Sequence, residues 1–340
     1  MPPFLLHLLQ ELHEGTTARV RTEDGLSAAF GTASGVRQGC VLAPALFSCA
    51  IDWIMSQCSN NLGTNIGQQR FTDIDYADDG ALLTDTPHKW PQLLQEYEAA
   101  AGTVGMRVNW RKTKIQNVAS GDAPAQVNVG SEVIEPVERF TYLGSDVVSP
   151  GYSSPEILRR IGIANATMGQ LDSIWRQRKL SLTTKLRLYS SLVLSILLYG
   201  SETWTLLKED SRKIQAFHML SQRRILGIRW FHHITNETVR QRTGLQDIGM
   251  IIADRRHSIF GHVCRASTGV PAHEALLLAE DIADKTWTVD NWRRPPGRPR
   301  RTWLQQVKED AGISAHSCHF AALDRSMWRS LRPSAGQAHQ

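Results

Sequence analysis

The spacing of the apolar residues changes near residue 153, and this change limits the folds open to the chain more than any other feature. Before it, short apolar runs are separated by Gly and Pro, as in "VNVGSEVIEPVERFTYLGSDVV", which is typical of short strands. The stretch "MRVNWRKTKIQNV", residues 106–118, also predicts a strand, with a basic end. After residue 153, apolar residues recur every three or four positions, as in "SLTTKLRLYSSLVLSILLYGSETW", which indicates helices. Helical patterns also alternate with the strands of the first part, so we predict an α+β fold. In one of these helices a buried apolar stripe is predicted, formed by Phe47, Ile51, Ile54 and Cys58.

The charge of the chain divides at almost the same place. Residues 1–150 carry 10 Lys and Arg against 17 Asp and Glu, a net charge of −7, whereas residues 151–340 carry 28 against 16, a net charge of +12. The basic part suggests a polyanionic partner, although helical domains also carry basic faces that bind nothing. We predict a mixed domain at 1–150, a helical region at 151–284, and an Arg- and Pro-rich loop with a last helix at 285–340.

The remaining composition indicates an intracellular protein that is neither secreted nor held in a membrane. The longest apolar stretch, which starts at Ser191, is too short to span a bilayer, and the N-terminus lacks the basic region of a signal peptide. Five cysteines are an odd number without paired spacing, which argues against a disulfide framework.

The stretch "FTDIDYADDGALLTD", residues 71–85, places Asp78 and Asp79 side by side at a turn between two apolar runs. Neighbouring carboxylates repel each other, so the pair costs free energy unless a cation lies among them. Mg²⁺ prefers oxygen ligands and is commonly held by one or two carboxylates together with substrate phosphates. The alternative is an ordinary solvated turn, in which Asp is favoured by local hydrogen bonds.

Four motifs occur in a fixed order along the first part of the chain: "SGVRQGCVLAP", "YADD", "GMRVNWRKTK" and "RFTYLGS". This series resembles the reverse transcriptase of a LINE-type (non-LTR) retrotransposon, and helical motifs such as "FHMLSQRRILGI" extend the resemblance into the second part. The resemblance implies a small antiparallel palm sheet backed by helices, followed by a thumb-like helical region. It also implies RNA-directed DNA polymerase activity with Mg²⁺ or Mn²⁺, an RNA template, a DNA primer and deoxynucleoside triphosphates.

The same resemblance assigns roles to single residues. Asp78 matches the metal-binding aspartate of the family, Asp79 stands beside it, and Lys112 would lie near the phosphates of the nucleotide. The residues that would contact the template base and the incoming nucleotide are Arg37, Gln38 and Gly39. The residues that would form the primer grip are Phe140, Tyr142, Leu143 and Gly144.

One departure from the family concerns a further metal-binding aspartate, which the resemblance places on a strand before the helix at 1–14. Asp24 and Asp52 are poor substitutes, because Asp24 lies in a hairpin turn and Asp52 on a helix. We therefore expect an N-terminally truncated copy that has little polymerase activity alone. An exposed sheet edge would then favour self-association. The alternatives are a non-catalytic fragment that binds nucleic acid and a degenerate product without a role.

The stretch "WTVDNWRRPPGRPRRTW" concentrates arginines and prolines near the C-terminus. Its arginines could neutralise nucleic-acid phosphates, and the run also resembles a nuclear localisation signal, whereas the alternative is a solvated linker. The candidate phosphate-binding residues are Arg293, Arg294, Arg298, Arg300 and Arg301. The tryptophans Trp287, Trp292 and Trp303 could stack on bases, although packing against the fold is the favoured interpretation.

A zinc site is the last candidate, and it is disfavoured. The chain has no CxxC pair, and two of the potential ligands would be the adjacent residues Cys318 and His319. Packed histidines and thiols are therefore the favoured interpretation of the group formed by His257, His262, Cys264, Cys318 and His319.

Overall fold

The computed structural model describes residues 2–32, 35–58, 63–67, 69–118, 124–284 and 301–332. The chain forms two compact units. The first unit contains Met1–Thr64, Thr72–Lys114 and Ala125–Glu135, and the second contains Asn65–Phe71, Ile115–Pro124 and Pro136–Gln340. Helices and two-stranded sheets make up both units, in agreement with the predicted α+β class. The three predicted domain ranges stay a prediction.

The strands of the chain are short and pair in twos. The pairs are β1 (Thr17–Ala18) with β4 (Phe30–Gly31), β2 (Arg21–Thr22) with β3 (Gly25–Leu26), β5 (Thr64–Ile66) with β6 (Gln69–Phe71), β7 (Asp73–Tyr76) with β8 (Asp79–Leu82), β9 (Val127–Val129) with β10 (Glu132–Ile134), and β11 (Arg139–Tyr142) with β12 (Ser145–Val148). The predicted hairpin near residue 24 is thus confirmed as the β2–β3 pair, and the predicted acidic hairpin as the β7–β8 pair.

Three helices of the first unit have proline as their first or second residue, where its fixed φ suits the first turn of a helix. They are α1 (Pro3–His13), α2 (Ala43–Gln57) and α3 (Trp90–Thr103). The predicted apolar stripe of α2 is confirmed, since Ile54 is fully buried and Phe47, Ile51 and Cys58 are half-buried. Ile54 packs in one cluster with Ala100 and Ala101 of α3. In contrast, α1 contains no buried residue.

The second unit is mostly helical, as the period of its apolar residues predicts. Its helices are α4 (Ser154–Gln170), α5 (Asp172–Arg176), α6 (Leu182–Leu188), α7 (Ser195–Leu197), α8 (Lys208–Ile225), α9 (Asn236–Thr243), α10 (Ile248–Cys264), α11 (Pro271–Asp284), α12 (Trp303–Ala311), α13 (Ala315–Leu323) and α14 (Arg325–Ser330). A π-helical segment, Tyr189–Leu194, joins α6 to α7. The side chain of Thr235 caps the first turn of α9, and Gly244 ends that helix at a φ of +66°.

Two apolar clusters stabilise the second unit. The first contains Ile157 of α4, Ile214 of α8 and Ile252 of α10, and the second contains Phe260 of α10 and Trp328 of α14. Fully buried apolar side chains of this size each contribute about 1.5–3 kcal/mol to folding. In the described part of the chain, no helix is long and apolar enough to cross a membrane.

Candidate functional site

The β7–β8 hairpin places the two candidate metal ligands at its tip. Tyr76 pairs with Asp79 across the hairpin, so Ala77 and Asp78 form a two-residue turn and Asp79 is the first residue of β8. Ala77 has a φ of 55°, in the left-handed region, which costs a residue with a side chain about 1–2 kcal/mol. Both aspartates are exposed.

The other aspartates of the acidic stretch do not join this pair. Side chains alternate along a strand, so Asp73 and Asp75 share one face of the hairpin, whereas Asp79 shares the opposite face with Tyr76 and Ile74. Asp73 and Asp75 are half-buried, but Tyr76 is 67% exposed and Ile74 is 47% exposed. The hairpin therefore turns its acidic side inward and leaves its apolar side open.

Asp75 occupies a crowded position on that inner face. Gly80 lies opposite, and a Cβ atom there would be 2.9 Å from Asp75 Oδ1. The pKa of Asp75 is raised from 3.8 to about 6, chiefly by burial, and the neighbouring carboxyls of Asp73 and Asp52 act in the same direction. Residues two apart along a strand share a face, so the sequence alone groups Asp73 with Asp75 and separates both from Ile74 and Tyr76.

The glycine-rich loop, residues 35–40 of the motif "SGVRQGCVLAP", forms a turn. Gly35 and Gly39 have φ values of 82° and 87°, which favour glycine. The backbone N–H of Cys40 donates a 3.1 Å hydrogen bond to the carbonyl of Arg37, which closes a turn. Arg37, Gln38 and Gly39 are all exposed at this turn.

Lys112 also lies in a turn, and the strand that we predicted through this stretch is wrong over residues 109–113. The backbone N–H groups of Lys112 and Thr113 each donate a 3.0 Å hydrogen bond to the carbonyl of Asn109. The side chain of Trp110 donates a 3.0 Å bond to Glu98 Oε1. These local bonds satisfy the backbone without a strand partner, and they leave the Lys112 side chain exposed.

The β11–β12 hairpin carries the four predicted primer-grip residues. Side chains from the helical part of the second unit donate hydrogen bonds to the carbonyls of its turn. Leu143 and Gly144 have consecutive φ values of 47° and 75°. Tyr199 Oη donates a 2.8 Å hydrogen bond to the carbonyl of Leu143, and Arg159 Nη2 donates a 2.6 Å bond to the carbonyl of Gly144. Arg160 donates to the same Gly144 carbonyl, and its guanidinium lies 4.4 Å from the centre of the Tyr199 ring.

Beneath this turn lies a buried cluster of charged side chains that was not predicted from the sequence. Glu156 accepts hydrogen bonds from Arg159 Nε at 2.8 Å and from Arg160 Nε at 2.6 Å, and one of its oxygens accepts the backbone N–H of Asp146 at 3.0 Å. Asp146 pairs with Arg139 and with Arg159. The sequence does carry a local signal for the ion pairs of Glu156, because "PEILRR" places Glu156 three and four residues before two arginines on a helix.

Four of the five arginines in the predicted phosphate-binding run lie outside the described residues, and so do Trp287 and Trp292. These four are Arg293, Arg294, Arg298 and Arg300. Arg301 is half-buried and pairs with Glu309. Trp303 Nε1 donates a 2.8 Å hydrogen bond to the carbonyl of Glu202. The packing interpretation is therefore confirmed for Trp303.

In the disfavoured zinc site, His257 has another partner and the two thiols are buried. The His257 ring stacks on Trp328 at 3.8 Å between centroids, and its Nε2 donates to the carbonyl of the same Trp328 at 2.6 Å. Burial raises the pKa of the Cys264 thiol to about 12 and that of Cys318 to about 11. Within the described ranges, no three His, Cys, Asp or Glu side chains are grouped so that they could hold a metal ion.

The donor set at the hairpin tip nevertheless suits a hard divalent cation of the kind that the resemblance implies. Asp78 and Asp79 offer carboxylate oxygens at an exposed turn, and Mg²⁺ binds through one or two carboxylates when phosphates complete its shell. The two residues fit a metal site that a substrate completes, and they do not form a closed protein cage.

Residues 6–147 match the reverse transcriptase (RNA-dependent DNA polymerase) family. This range contains the glycine-rich loop, the β7–β8 hairpin, the turn at Lys112 and the primer-grip residues of the β11–β12 hairpin. The predicted resemblance to a reverse transcriptase is therefore confirmed over residues 6–147.

Two proteins of mobile elements resemble the chain over a longer range, and a third resembles it over a shorter one. It is 26% identical over 240 residues to the RNA-directed DNA polymerase from the mobile element jockey of Drosophila melanogaster, which covers 68% of this chain and 26% of that protein. It is 27% identical over 257 residues to a transposon-derived protein of Caenorhabditis elegans, covering 72% of this chain and 87% of that one. A retrovirus-related Pol polyprotein from the type-1 retrotransposable element R2 of Nasonia vitripennis is 34% identical over 80 residues, 24% of this chain and 8% of that protein.

Proposed function

We propose that the chain is part of the RNA-directed DNA polymerase of a LINE-type retrotransposon, and that residues 1–150 form part of its palm. The observation that carries the proposal is the Asp78–Asp79 turn, exposed at the tip of a hairpin inside the segment that matches the reverse transcriptase family. The partners would be an RNA template, a DNA primer and deoxynucleoside triphosphates. An intracellular location, with nuclear entry through the run at 293–301, belongs to the same proposal.

In this proposal, Asp78 is the main carboxylate ligand of Mg²⁺ or Mn²⁺ and Asp79 is the supporting one. A bound divalent cation would supply charge stabilisation for the transfer of a nucleotide to the primer 3′ hydroxyl. The turn suits this role because its register with Tyr76 fixes Asp79, and because its exposure leaves room for a triphosphate beside Asp78.

The remaining predicted site residues have supporting roles in the proposal. Arg37, Gln38 and Gly39 would contact the template base and the nucleotide, and their exposure on an open turn supports this. Lys112 would lie near the phosphates. The primer grip would consist of Phe140, Tyr142, Leu143 and Gly144, and the hydrogen bonds to the carbonyls of Leu143 and Gly144 support a rigid hairpin of that kind.

The second candidate function is nucleic-acid binding without synthesis. Its supporting observation is the net charge of +12 over residues 151–340, which is independent of the carboxylates at residues 78 and 79. The two functions differ in whether the Asp78–Asp79 turn is needed.

Primer extension on an RNA template, with Mg²⁺ and in parallel with Mn²⁺, tests the proposal. Extension by the parent chain alone is expected to be weak, and the double variant Asp78→Asn, Asp79→Asn should abolish it, because groups that act as a unit in catalysis cost several orders of magnitude when removed. Asp24→Asn, an exposed aspartate in the turn of the β2–β3 hairpin, is the matched control and should extend as the parent chain does.

Two outcomes would contradict the polymerase proposal. Extension that persists in the double variant would show that Asp78 and Asp79 are not the ligands. No extension by a folded protein that binds the template and primer would favour nucleic-acid binding without synthesis.

A further inference from the structure

The segment between α8 and α9 exposes an aromatic side chain to an unusual degree. Trp230 is 86% exposed and the neighbouring Phe231 is 52% exposed. Their rings meet edge to face at 5.8 Å between centroids, and Phe231 meets His232 in the same way at 4.6 Å. With 86% of its surface exposed, the Trp230 indole keeps a broad face open despite this contact. Large aromatic rings usually pack, so an open indole needs an explanation.

This segment is nevertheless held in one conformation. The N–H of Ile228 donates a 2.9 Å hydrogen bond to the carbonyl of Arg223, and Arg223 Nη2 donates a 3.0 Å bond to the carbonyl of Ile234. Both ends of the segment are therefore tied to the same residue of α8. Between them, the N–H of Arg229 donates a 3.1 Å bond to His232 Nδ1. A ring presented on a fixed backbone costs little ordering free energy when a ligand binds it.

The surroundings of Trp230 are strongly basic. Residues 208–243 contain eight Lys and Arg against three Asp and Glu, a net charge of +5. All three acidic residues are engaged: Glu209 pairs with Arg212, Glu237 pairs with Arg240, and the buried Asp210 accepts a 2.8 Å hydrogen bond from Ser154.

Two arginines beside the exposed ring keep their charge available. Across the part of the chain that the structure describes, no carboxylate forms an ion pair with Arg223 or Arg229. Arg229 is exposed and directly precedes Trp230. An open indole on a segment whose arginines are not neutralised by a carboxylate is a combination that binds bases and phosphates together.

A shallow groove of about 390 Å³ continues this surface along α8. Met219 and Leu220 line it together with Arg212, Arg223 and Asn236. Leu220 is 65% exposed, so the apolar part of the groove is open to a ligand. Arg223 both lines the groove and anchors the Trp230 segment, which makes the two features one continuous surface.

We propose that this surface, formed by Trp230, Arg229, Arg223 and the α8 groove, binds single-stranded nucleic acid. An unpaired base stacks on the Trp230 indole, and the phosphates beside it lie against Arg229 and Arg223. Charge complementarity decides in favour of a polyanion over an apolar protein partner, because the exposed apolar side chains are surrounded by cations. The site is distinct from the Asp78–Asp79 turn and requires neither nucleotide nor divalent cation.

Fluorescence anisotropy with labelled 15-residue oligonucleotides of RNA and of DNA, and with a duplex of the same length, tests the proposal on the full chain in EDTA. Trp230→Ala should weaken binding to the single strands by about ten- to a hundredfold, since base–aromatic stacking contributes ~1–3 kcal/mol per base. Trp230→Phe should restore most of the affinity, because a smaller ring still stacks.

The matched controls are an aromatic and a cation from elsewhere in the second unit. Phe320→Ala removes a ring that is 59% exposed on α13, and Arg325→Ala removes an exposed arginine on α14. Both should bind as the parent chain does. Arg229→Ala should reduce the slope of log affinity against log salt by about 0.7, the value for one phosphate contact to a single strand.

Three outcomes would overturn the proposal. The first is a Trp230→Ala variant that binds single strands within twofold of Phe320→Ala. The second is an equal loss for the duplex, which would indicate a general charge effect without stacking. The third is a lower sedimentation mass for free Trp230→Ala than for the free parent chain, which would make the surface a contact between copies of the chain. Loss of primer extension would leave this proposal untouched, since the binding assay contains no substrate of the polymerase.

Discussion

At the scale of single residues, Glu156 is a buried carboxylate that two arginines hold in place. Its side chain is buried, with 4% of its surface exposed, and it accepts hydrogen bonds from both Arg159 and Arg160. Burial alone would raise the pKa of Glu156, but these hydrogen bonds outweigh burial and lower the pKa below its ordinary value. The carboxylate is therefore stabilised in its charged form by folding.

Glu156→Gln should destabilise the protein by about 3–5 kcal/mol, because it leaves buried guanidinium charge uncompensated. Glu237→Gln is the control, since Glu237 forms an exposed pair with Arg240 and should cost less than about 1 kcal/mol. Urea unfolding followed by circular dichroism at pH 7 measures both. Equal small losses for the two variants would mean that the buried cluster contributes no more than a surface pair.

The pH dependence of the same contribution has a definite sign. Because the pKa of Glu156 is lower in the folded state, its contribution is present above the ordinary pKa of a glutamate, about 4.3, and is lost as the pH falls through the lowered value. The difference in stability between the parent and Glu156→Gln should therefore shrink below about pH 4.

The exposed residues of the site were more readily predicted from the sequence than the buried ones. The turn at Asp78 and Asp79 was predictable, since adjacent aspartates between two strands have few other conformations. The Glu156 cluster was not predicted, because it also contains Arg139 and Asp146, which the β11–β12 hairpin brings to α4. Non-local pairing of this kind leaves no periodic trace in the sequence.

At the scale of elements, α10 and α14 are joined by a close packing contact. Gly261 lies on α10, and a Cβ atom there would be 2.5 Å from Cδ1 of Trp328 on α14. The same two helices exchange hydrogen bonds, because Trp328 Nε1 donates to the carbonyl of His257 at 2.8 Å. Glycine at this position thus lets the indole lie directly on the helix backbone.

Gly261→Ala should destabilise the protein by about 1–3 kcal/mol, the usual cost of overpacking, even though alanine favours helices. Gly162→Ala on α4 is the matched control: nothing lies within 4 Å of its would-be Cβ, so the substitution should stabilise by about 0.5–1 kcal/mol. Thermal unfolding of the two variants compares them directly. A stabilising effect of Gly261→Ala would show that Trp328 does not lie on Gly261 in solution.

The elements themselves were largely predictable, and the main failure has a local cause. Helices with a clear period of three or four, such as α8 and α10, were found from the sequence. The strand predicted through residues 109–113 failed because Asn109 accepts backbone hydrogen bonds from the residues three and four positions later. Apolar alternation gives no information about such local backbone hydrogen bonds.

At the scale of the whole molecule, the two units differ in the size of their cores. Among the described residues, nine buried apolar side chains lie in the first unit, whereas the second unit has one cluster of sixteen and another of ten. Because stability follows buried apolar area, the second unit should withstand more denaturant than the first.

Hydrogen exchange in increasing urea, read by mass spectrometry, should therefore show two steps. The amides of α2 and α3 should lose protection first, and those of α8 and α10 later. The amides of α1 should exchange fastest of the helices in the first unit, since none of its residues is buried. Loss of protection at one common urea concentration would contradict this order and would mean that the chain unfolds as one cooperative body.

The parallel stack of His257 on Trp328 has an optical consequence. The rings lie 3.8 Å apart at an interplanar angle of 3°, and burial lowers the pKa of His257, so the imidazole beside the indole is neutral at physiological pH. The emission of Trp328 thus depends on a ring that belongs to another helix. When α14 leaves α10, the indole loses this neighbour and meets water, and its emission shifts to the red. Comparing the parent chain with Trp328→Phe isolates that signal, so the protein contains its own spectroscopic probe for the release of its last described helix.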